Sequence, residues 1–223
     1  MIVAERLTGL HFTAQKERSV DLDDVEISNL DPFLRALLFT DGTVSRALEA
    51  NTLSAVVVEP VEQTPAPVPP RIGRYLQLAE NEECIRRRVV MRIAGTGLSV
   101  WAESYVLPSR LPPEFLTLLD GDSLGIGGSL ERLKLESWRE LLWFGLGPPP
   151  AWSDGAIPAT TTLTRFYRVI TQRLPALLIS EAFAVEKRLG RYRLTGSADS
   201  PEDAAKGSAF GRLRPGTASG DPS

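Results

Sequence analysis

Two stretches of this 223-residue chain, read as extended, each place one charge on a row of side chains that is otherwise apolar. In a strand, successive side chains point to opposite faces, so positions i, i+2 and i+4 share a row. Within residues 83–93, Ile85, Arg87, Val89, Met91 and Ile93 form one row, and Cys84, Arg86, Arg88, Val90 and Arg92 form the other. The second row is the wetter, which leaves Arg87 as the single cation on the first. Within residues 174–185, Leu177, Ile179, Glu181 and Phe183 share a face opposite Leu178, Ser180, Ala182 and Ala184. Glu181 is the lone anion on that bulky row. Burying an isolated charge costs several kcal/mol, so each group needs a partner or a ligand. Two arrangements meet that need. In one, Arg87 and Glu181 pair with each other or with other side chains as structural ions. In the other they face a pocket, where the guanidinium fork clamps a carboxylate and the glutamate meets a hydroxyl or ether oxygen, or handles a proton. Alternation alone leaves both open.

The elements that must hold these groups follow from local signals. Asp31-Pro32 reads as an N-cap followed by proline at the first helical position, and Phe33, Leu34, Leu37 and Leu38 recur at helical spacing. Asp41-Gly42 breaks that helix, and Thr43 can cap a second one through Arg46, Ala47 and Leu48. Residues 53–59 are β-branched and extended in character, whereas the prolines of 60–70 predict a loop too poor in donors for a sheet. Residues 83–93 and 98–107 flank Ala94-Gly95-Thr96-Gly97 and predict a hairpin. Pro112-Pro113 then starts a helix carrying Phe115, Leu116, Leu118 and Leu119. Residues 129–144 show both helical and strand patterns, and 145–158 read as a loop. Residues 160–170 and 174–185 form a second antiparallel pair around Thr171-Gln172-Arg173. Strand pairs separated by short helices, without βαβ alternation, predict an α+β fold on a single antiparallel sheet. Residues 1–27, with the acidic group Asp21, Asp23, Asp24 and Glu26, are expected to form an N-terminal extension. Residues 28–194 make the domain, and 195–223, poor in large apolar groups, a disordered tail.

Composition narrows the chemistry. A formal charge of −3 gives no general attraction to nucleic acid or anionic lipid, so an anionic ligand must be held by local cations. No apolar run is long enough for a membrane span, and the start lacks the apolar core of a signal peptide. The single cysteine, Cys84, rules out an internal disulfide and fits a reducing cytoplasm; with His11 the only histidine, His/Cys metal sites and Ser-His-Asp catalysis are nearly excluded.

The same residues lie in segments that resemble the chorismate pyruvate-lyase family, particularly its bacterial branch with a longer C-terminal half. The similarity runs with gaps from about Leu30 to Val185 and is carried by order and spacing. Residues 37–48, Leu-Leu-Phe-Thr-Asp-Gly-Thr-Val-Ser-Arg-Ala-Leu, resemble a leucine-rich segment ending in an acidic turn, Thr or Ser, and Arg. Arg87-Arg88-Val89-Val90-Met91 resembles the family's Arg-x-apolar-apolar-apolar strand, followed by a hairpin and Ala102-Glu103-Ser104-Tyr105-Val106-Leu107-Pro108. Ser123-Leu124-Gly125 resembles a Pro-Leu-Gly turn, and Arg168-Val169-Ile170 with residues 175–183 resembles the closing hairpin and its Thr-Glu-x-Phe. The resemblance implies one antiparallel sheet with helical flaps over an internal ligand pocket. It implies cofactor-free conversion of chorismate to 4-hydroxybenzoate and pyruvate, feeding quinones or other aromatic metabolites. It further implies that Arg87 holds the ring carboxylate, Glu181 faces the 4-oxygen end, and backbone groups at Thr43 and Leu124 complete the site. The chain departs from the pattern with Thr43 where relatives often have Met and Ser123 where they have Pro. The hairpin length also differs, so Arg86 or Arg88 competes for the aligned place; strand facing selects Arg87.

Other features read more simply. Residues 124–129 lack the Gly-Lys-Ser/Thr ending of a phosphate loop, Asp120-Gly121-Asp122 reads as a solvated helix end, and Arg86-Arg87-Arg88 splits between strand faces, unlike a nucleic-acid patch. The rival class is a small-molecule effector-binding module of the same fold, as in a family of transcription regulators; only about 30 residues precede the match, too few for the winged helix that such regulators carry. An open sheet edge permits monomer or dimer.

Overall fold

The computed structural model describes residues 3–80, 82–121, 125–153 and 161–195. Among these residues seven strands make one sheet: β1 (Val56–Pro65), β2 (Ile85–Ile93), β3 (Ser99–Val106), β4 (Ser137–Gly147), β5 (Thr162–Thr171), β6 (Leu174–Arg188) and β7 (Arg191–Leu194). The order across the sheet is β1-β2-β3-β6-β5-β4, with β7 paired to the far end of β6, and every neighbouring pair is antiparallel. Six α-helices accompany it among the described residues: α1 (Val3–His11), α2 (Pro32–Phe39), α3 (Val44–Thr52), α4 (Pro70–Gly73), α5 (Pro113–Gly121) and α6 (Gly125–Arg132). This is the α+β, single-sheet architecture expected from the sequence. No helix among the described residues is long and apolar enough to cross a membrane.

Local chemistry explains the elements around the site. Asp31 caps α2, its Oδ1 accepting from the Leu34 amide at 2.7 Å, and Pro32 occupies the first helical position. The β5–β6 turn is two residues long, with Thr171 opposite Leu174 and both Gln172 and Arg173 at positive φ. That is the turn sense that matches strand twist. The apolar rows of the strands face α2, α3, α5 and α6, where Leu34, Leu37, Leu48, Phe115 and Leu130 pack on Val89, Met91, Val169, Ile179 and Phe183. On the opposite face Leu76, Tyr105, Leu142, Trp143, Phe166 and Leu178 form a second cluster, with Trp143 and Phe166 stacked at 4.2 Å.

Three local expectations are corrected. The proline-rich segment is not wholly a loop, because β1 runs through Pro60 to Pro65 along β2. It is an edge strand, so a proline there needs no outward N–H donor, and a register shift between Pro60 and Glu62 absorbs the misfit. The ambiguous residues 129–144 divide into the end of α6 and the start of β4, with Lys134 at positive φ between them. Strand β4 also continues to Gly147, into the segment read as a loop. Residues 13–23 lie along its outer edge: the Thr13 and Ala14 amides donate to Leu141 and Leu142 carbonyls at 3.0 and 2.9 Å, and Asp23 bridges Leu146. One sheet edge is thereby covered and the other blunted by proline. Of the tail expected over 195–223, all but Thr195 falls outside the described residues.

One ion pair fastens the loop before β2 to the sheet. Arg110 donates from Nε to Glu82 Oε1 at 2.8 Å, and from Nη1 to the Leu76 and Pro175 carbonyls, each at 2.6 Å. The Arg110 bond draws the Glu82 pKa from 4.5 down to about 2 despite the opposing effect of burial. A carboxylate whose pKa falls on folding adds stability above its unfolded value and loses it as pH drops through the folded one. Stability should therefore decline between about pH 4.5 and pH 2. Glu82→Gln should cost about 2 kcal/mol at pH 7 and flatten that decline, as measured by urea unfolding across the pH range.

Candidate active site

Arg87 projects from β2 toward α5 and is only 2% exposed. Its Nε donates to Gln63 Oε1 at 2.9 Å, and Gln63 Nε2 donates in turn to Asp120 Oδ1. Neither Nη atom has a hydrogen bond or ion pair among the described residues. Burial lowers the Arg87 pKa, with Asp120 partly opposing it. A buried guanidinium that keeps one side of its fork unfilled is a recognition element for a planar anion.

Glu181 stands on β6, separated from β2 by β3. It does not pair with Arg87. Its Oε2 accepts from Arg165 Nε at 2.7 Å, and its Oε1 from the Tyr167 hydroxyl at 3.1 Å; both partners come from β5. Arg165 has no exposed surface, and its guanidinium carbon lies 4.9 Å from the centre of the Tyr167 ring. Its Nη1 also donates to the Leu37 carbonyl and, at 3.0 Å, to that of Thr40, at the end of α2. Burial would lower the Arg165 pKa, but Glu181 and Tyr167 outweigh it and hold it up. Burial, followed by the Glu181 charge, pushes the Tyr167 phenol well above its usual range, so it remains a donor.

Arg87, Glu181, Tyr167 and a second cation, Arg139 of β4, line one cavity of about 60 Å³, floored by Val89, Met91, Ala102 and Ile179. Its cover comes from Thr43, Val44 and Ser45 at the start of α3 and Gly125, Ile126 and Gly127 of α6. Glycine is needed in this cover: Gly125 has φ +65°, and a Cβ on Gly127 would stand 2.8 Å from Thr43 Cγ2. A larger hollow of about 460 Å³ adjoins it, sharing Thr43, Ser45 and Val58 and lined also by Arg46, Glu49, Glu131 and Arg132. The charged pair thus occupies the tighter inner chamber.

Of the residues singled out from sequence, Arg87, Glu181 and Thr43 meet at this cavity, and Leu124 lies outside the described residues. Arg86 and Arg88 point to the opposite face, where both are tied to Glu62. Arg165, Tyr167 and Arg139 were missed. The first two were within reach of the same alternation rule, since Arg165 is the lone charge among Leu163, Tyr167 and Val169. Arg139 sits just before a register shift between Leu141 and Trp143, which breaks the period.

Removing Arg165 would strand the Glu181 carboxylate in the interior. Arg165→Met should destabilise the fold by about 3–5 kcal/mol, and adding Glu181→Met should recover most of that loss. Urea denaturation of the single and double variants measures both.

The comparisons agree with this architecture. The effector domain of PhnF from Mycobacterium smegmatis superposes with TM-score 0.52 at 10% identity, covering 65% of this chain and 90% of that domain. That likeness concerns the fold alone. In sequence, a chorismate pyruvate-lyase of Mycobacterium tuberculosis is 27% identical over 168 residues, 73% of this chain and 84% of that protein. One of Mycobacterium leprae is 28% identical over 163 residues, 71% of this chain and 77% of that protein. The family model "Chorismate pyruvate-lyase Rv2949c-like" matches residues 38–193, which contain every element of the cavity, and the chain belongs to that family.

Proposed function

We propose that this chain converts chorismate to 4-hydroxybenzoate and pyruvate, acting as a carbon–oxygen lyase whose product enters aromatic metabolite synthesis. The observation that carries the reading is the presence, in one cavity, of a buried arginine with two unfilled donor nitrogens and a carboxylate held rigidly by Arg165 and Tyr167. Arg87 takes the ring carboxylate in its open fork. The ring lies across the aliphatic floor and presents its C4 hydroxyl to Glu181. An ionised carboxylate accepts about four hydrogen bonds, and two of these are already used, so acceptor capacity remains toward the cavity. The backbone at Thr43 completes the grip.

The chemistry asks for positioning more than for force. The C3–O bond of the enolpyruvyl ether breaks and its electron pair leaves with the oxygen. The proton on C4 departs and its electron pair completes the aromatic ring, while the enolpyruvate methylene takes up a proton to become pyruvate. Aromatisation supplies the driving force. Glu181 is suited to receive the C4 proton or to hold the C4 hydroxyl during its loss. The Arg165 contact fixes the carboxylate in advance, so little reorganisation accompanies the reaction.

The same fold serves as an effector domain in PhnF, and the second reading is a module that binds a small acid without turning it over. Incubation of purified protein with chorismate separates the two: the lyase forms 4-hydroxybenzoate and pyruvate in equal amounts, the module leaves chorismate intact. Glu181→Gln should lower kcat by about 10²- to 10⁴-fold. Arg87→Ala should weaken chorismate binding by about 10- to 100-fold. Unchanged turnover in Glu181→Gln removes that residue from proton handling.

A further inference from the structure

The cavity holds one more cation than recognition of a single carboxylate requires. Arg139 lies on β4 opposite Val169, on the row that continues with Leu141 and faces the helices. It is thus the second cation to enter the chamber from the sheet, four inter-strand steps from Arg87 in the order β2-β3-β6-β5-β4, at about 4.8 Å per step. Glu181 stands between them on β6. The Arg139 guanidinium reaches Tyr167 and donates from Nη1 to the Asp41 carbonyl, while its Nε is buried with no hydrogen-bond partner. A buried N–H left unsatisfied in a side chain that lines a cavity is completed by what enters that cavity.

Charge balance says what that is. The Glu181 carboxylate is neutralised by Arg165 behind it, so Arg87 and Arg139 are the cations that the chamber itself must balance. Asp120, which reaches Arg87 through Gln63, is exposed, and solvent screens it. Two separated cations bracketing one acceptor fit a molecule with two carboxylates and a reacting centre between them. Resting on the function proposed above, we infer that Arg139 binds the enolpyruvyl carboxylate of chorismate, and so distinguishes the dianionic substrate from the monoanionic 4-hydroxybenzoate. Arg87 serves the carboxylate that both compounds share; Arg139 serves the one that only the substrate carries.

The test compares Arg139→Gln and Arg139→Lys with the unaltered protein, using chorismate and 4-hydroxybenzoate as probes. The readouts are chorismate KM and kcat, 4-hydroxybenzoate Kd by calorimetric titration, and Tm. Arg139→Gln should raise the chorismate KM about 10-fold or more while the 4-hydroxybenzoate Kd stays within about twofold, and Arg139→Lys should restore part of the loss. A purely structural role, holding the turn at Asp41, would weaken both ligands together, and that outcome overturns the inference. So does an unchanged KM. If the unaltered protein binds chorismate without converting it, the lyase reading fails by itself, and the same ratio of chorismate to 4-hydroxybenzoate affinities still decides the role of Arg139. If it binds neither compound, both fall.

Discussion

The Arg165 guanidinium is the contact on which both the sheet and its cover depend. A cation with no exposed surface must be compensated inside the protein: this one donates from Nε to a carboxylate on β6 and from Nη1 to the carbonyls that end α2, while its Nη2 is buried without a hydrogen-bond partner. The last carbonyls of a helix lack partners within the helix and carry its negative end, so a cation is the natural group to satisfy them. The consequence is mechanical. The residue that orients Glu181 also fixes where α2 stops, and therefore where the turn through Asp41 and Thr43 delivers the start of α3 over the cavity. A shift of β5 would move the carboxylate and the cover together.

The cover itself is held less firmly. Across α3 and α6 the ion pair between Arg46 and Glu131, at 2.6 Å, has side chains 68% and 56% exposed, and exposed pairs contribute little. Apolar burial on α3 is confined to Val44 and Leu48. The close approach of Gly127 to Thr43 shapes the roof without adding a strong bond. In the reading proposed above, a rigid floor under a lightly fastened roof suits a site that excludes water during an elimination and then releases two products.

Much of this was legible in the sequence, for a simple reason. Burial on one side of a sheet forces strict alternation, so a charge on the dry row is conspicuous, as with Arg87 and Glu181. The rest was hidden where a second constraint overrides alternation. Arg139 precedes a bulge and lies within residues 129–144, whose pattern mixes helical and strand signals, so no row is assigned to it from sequence. The prolines of β1 looked like loop because their tolerance depends on being at an edge, a property of the whole sheet. The role of residues 13–23 rests on backbone pairing with the distant β4, for which side chains give no local signal. Pairing partners were the harder matter throughout. Alternation says that Glu181 is buried, but that Arg165 answers it follows from β5 lying beside β6, which is topology.

The placement of two cations on either side of Glu181 also bears on how products leave. In the reading proposed here, chorismate is one molecule engaging both guanidiniums, so its second contact forms at the high effective concentration set by the first. Cleavage of the C3–O bond cuts the link between the two carboxylates and turns one bidentate guest into two separate monoanions. Each then loses the advantage of being tethered, although no contact to either carboxylate has changed. The chelate favours substrate over either product, and the reaction itself abolishes it. 4-Hydroxybenzoate keeps the better-buried arginine, the aliphatic floor and Glu181, whereas pyruvate keeps only the contact to Arg139, which is partly exposed. Pyruvate should therefore depart first, and the aromatic acid last.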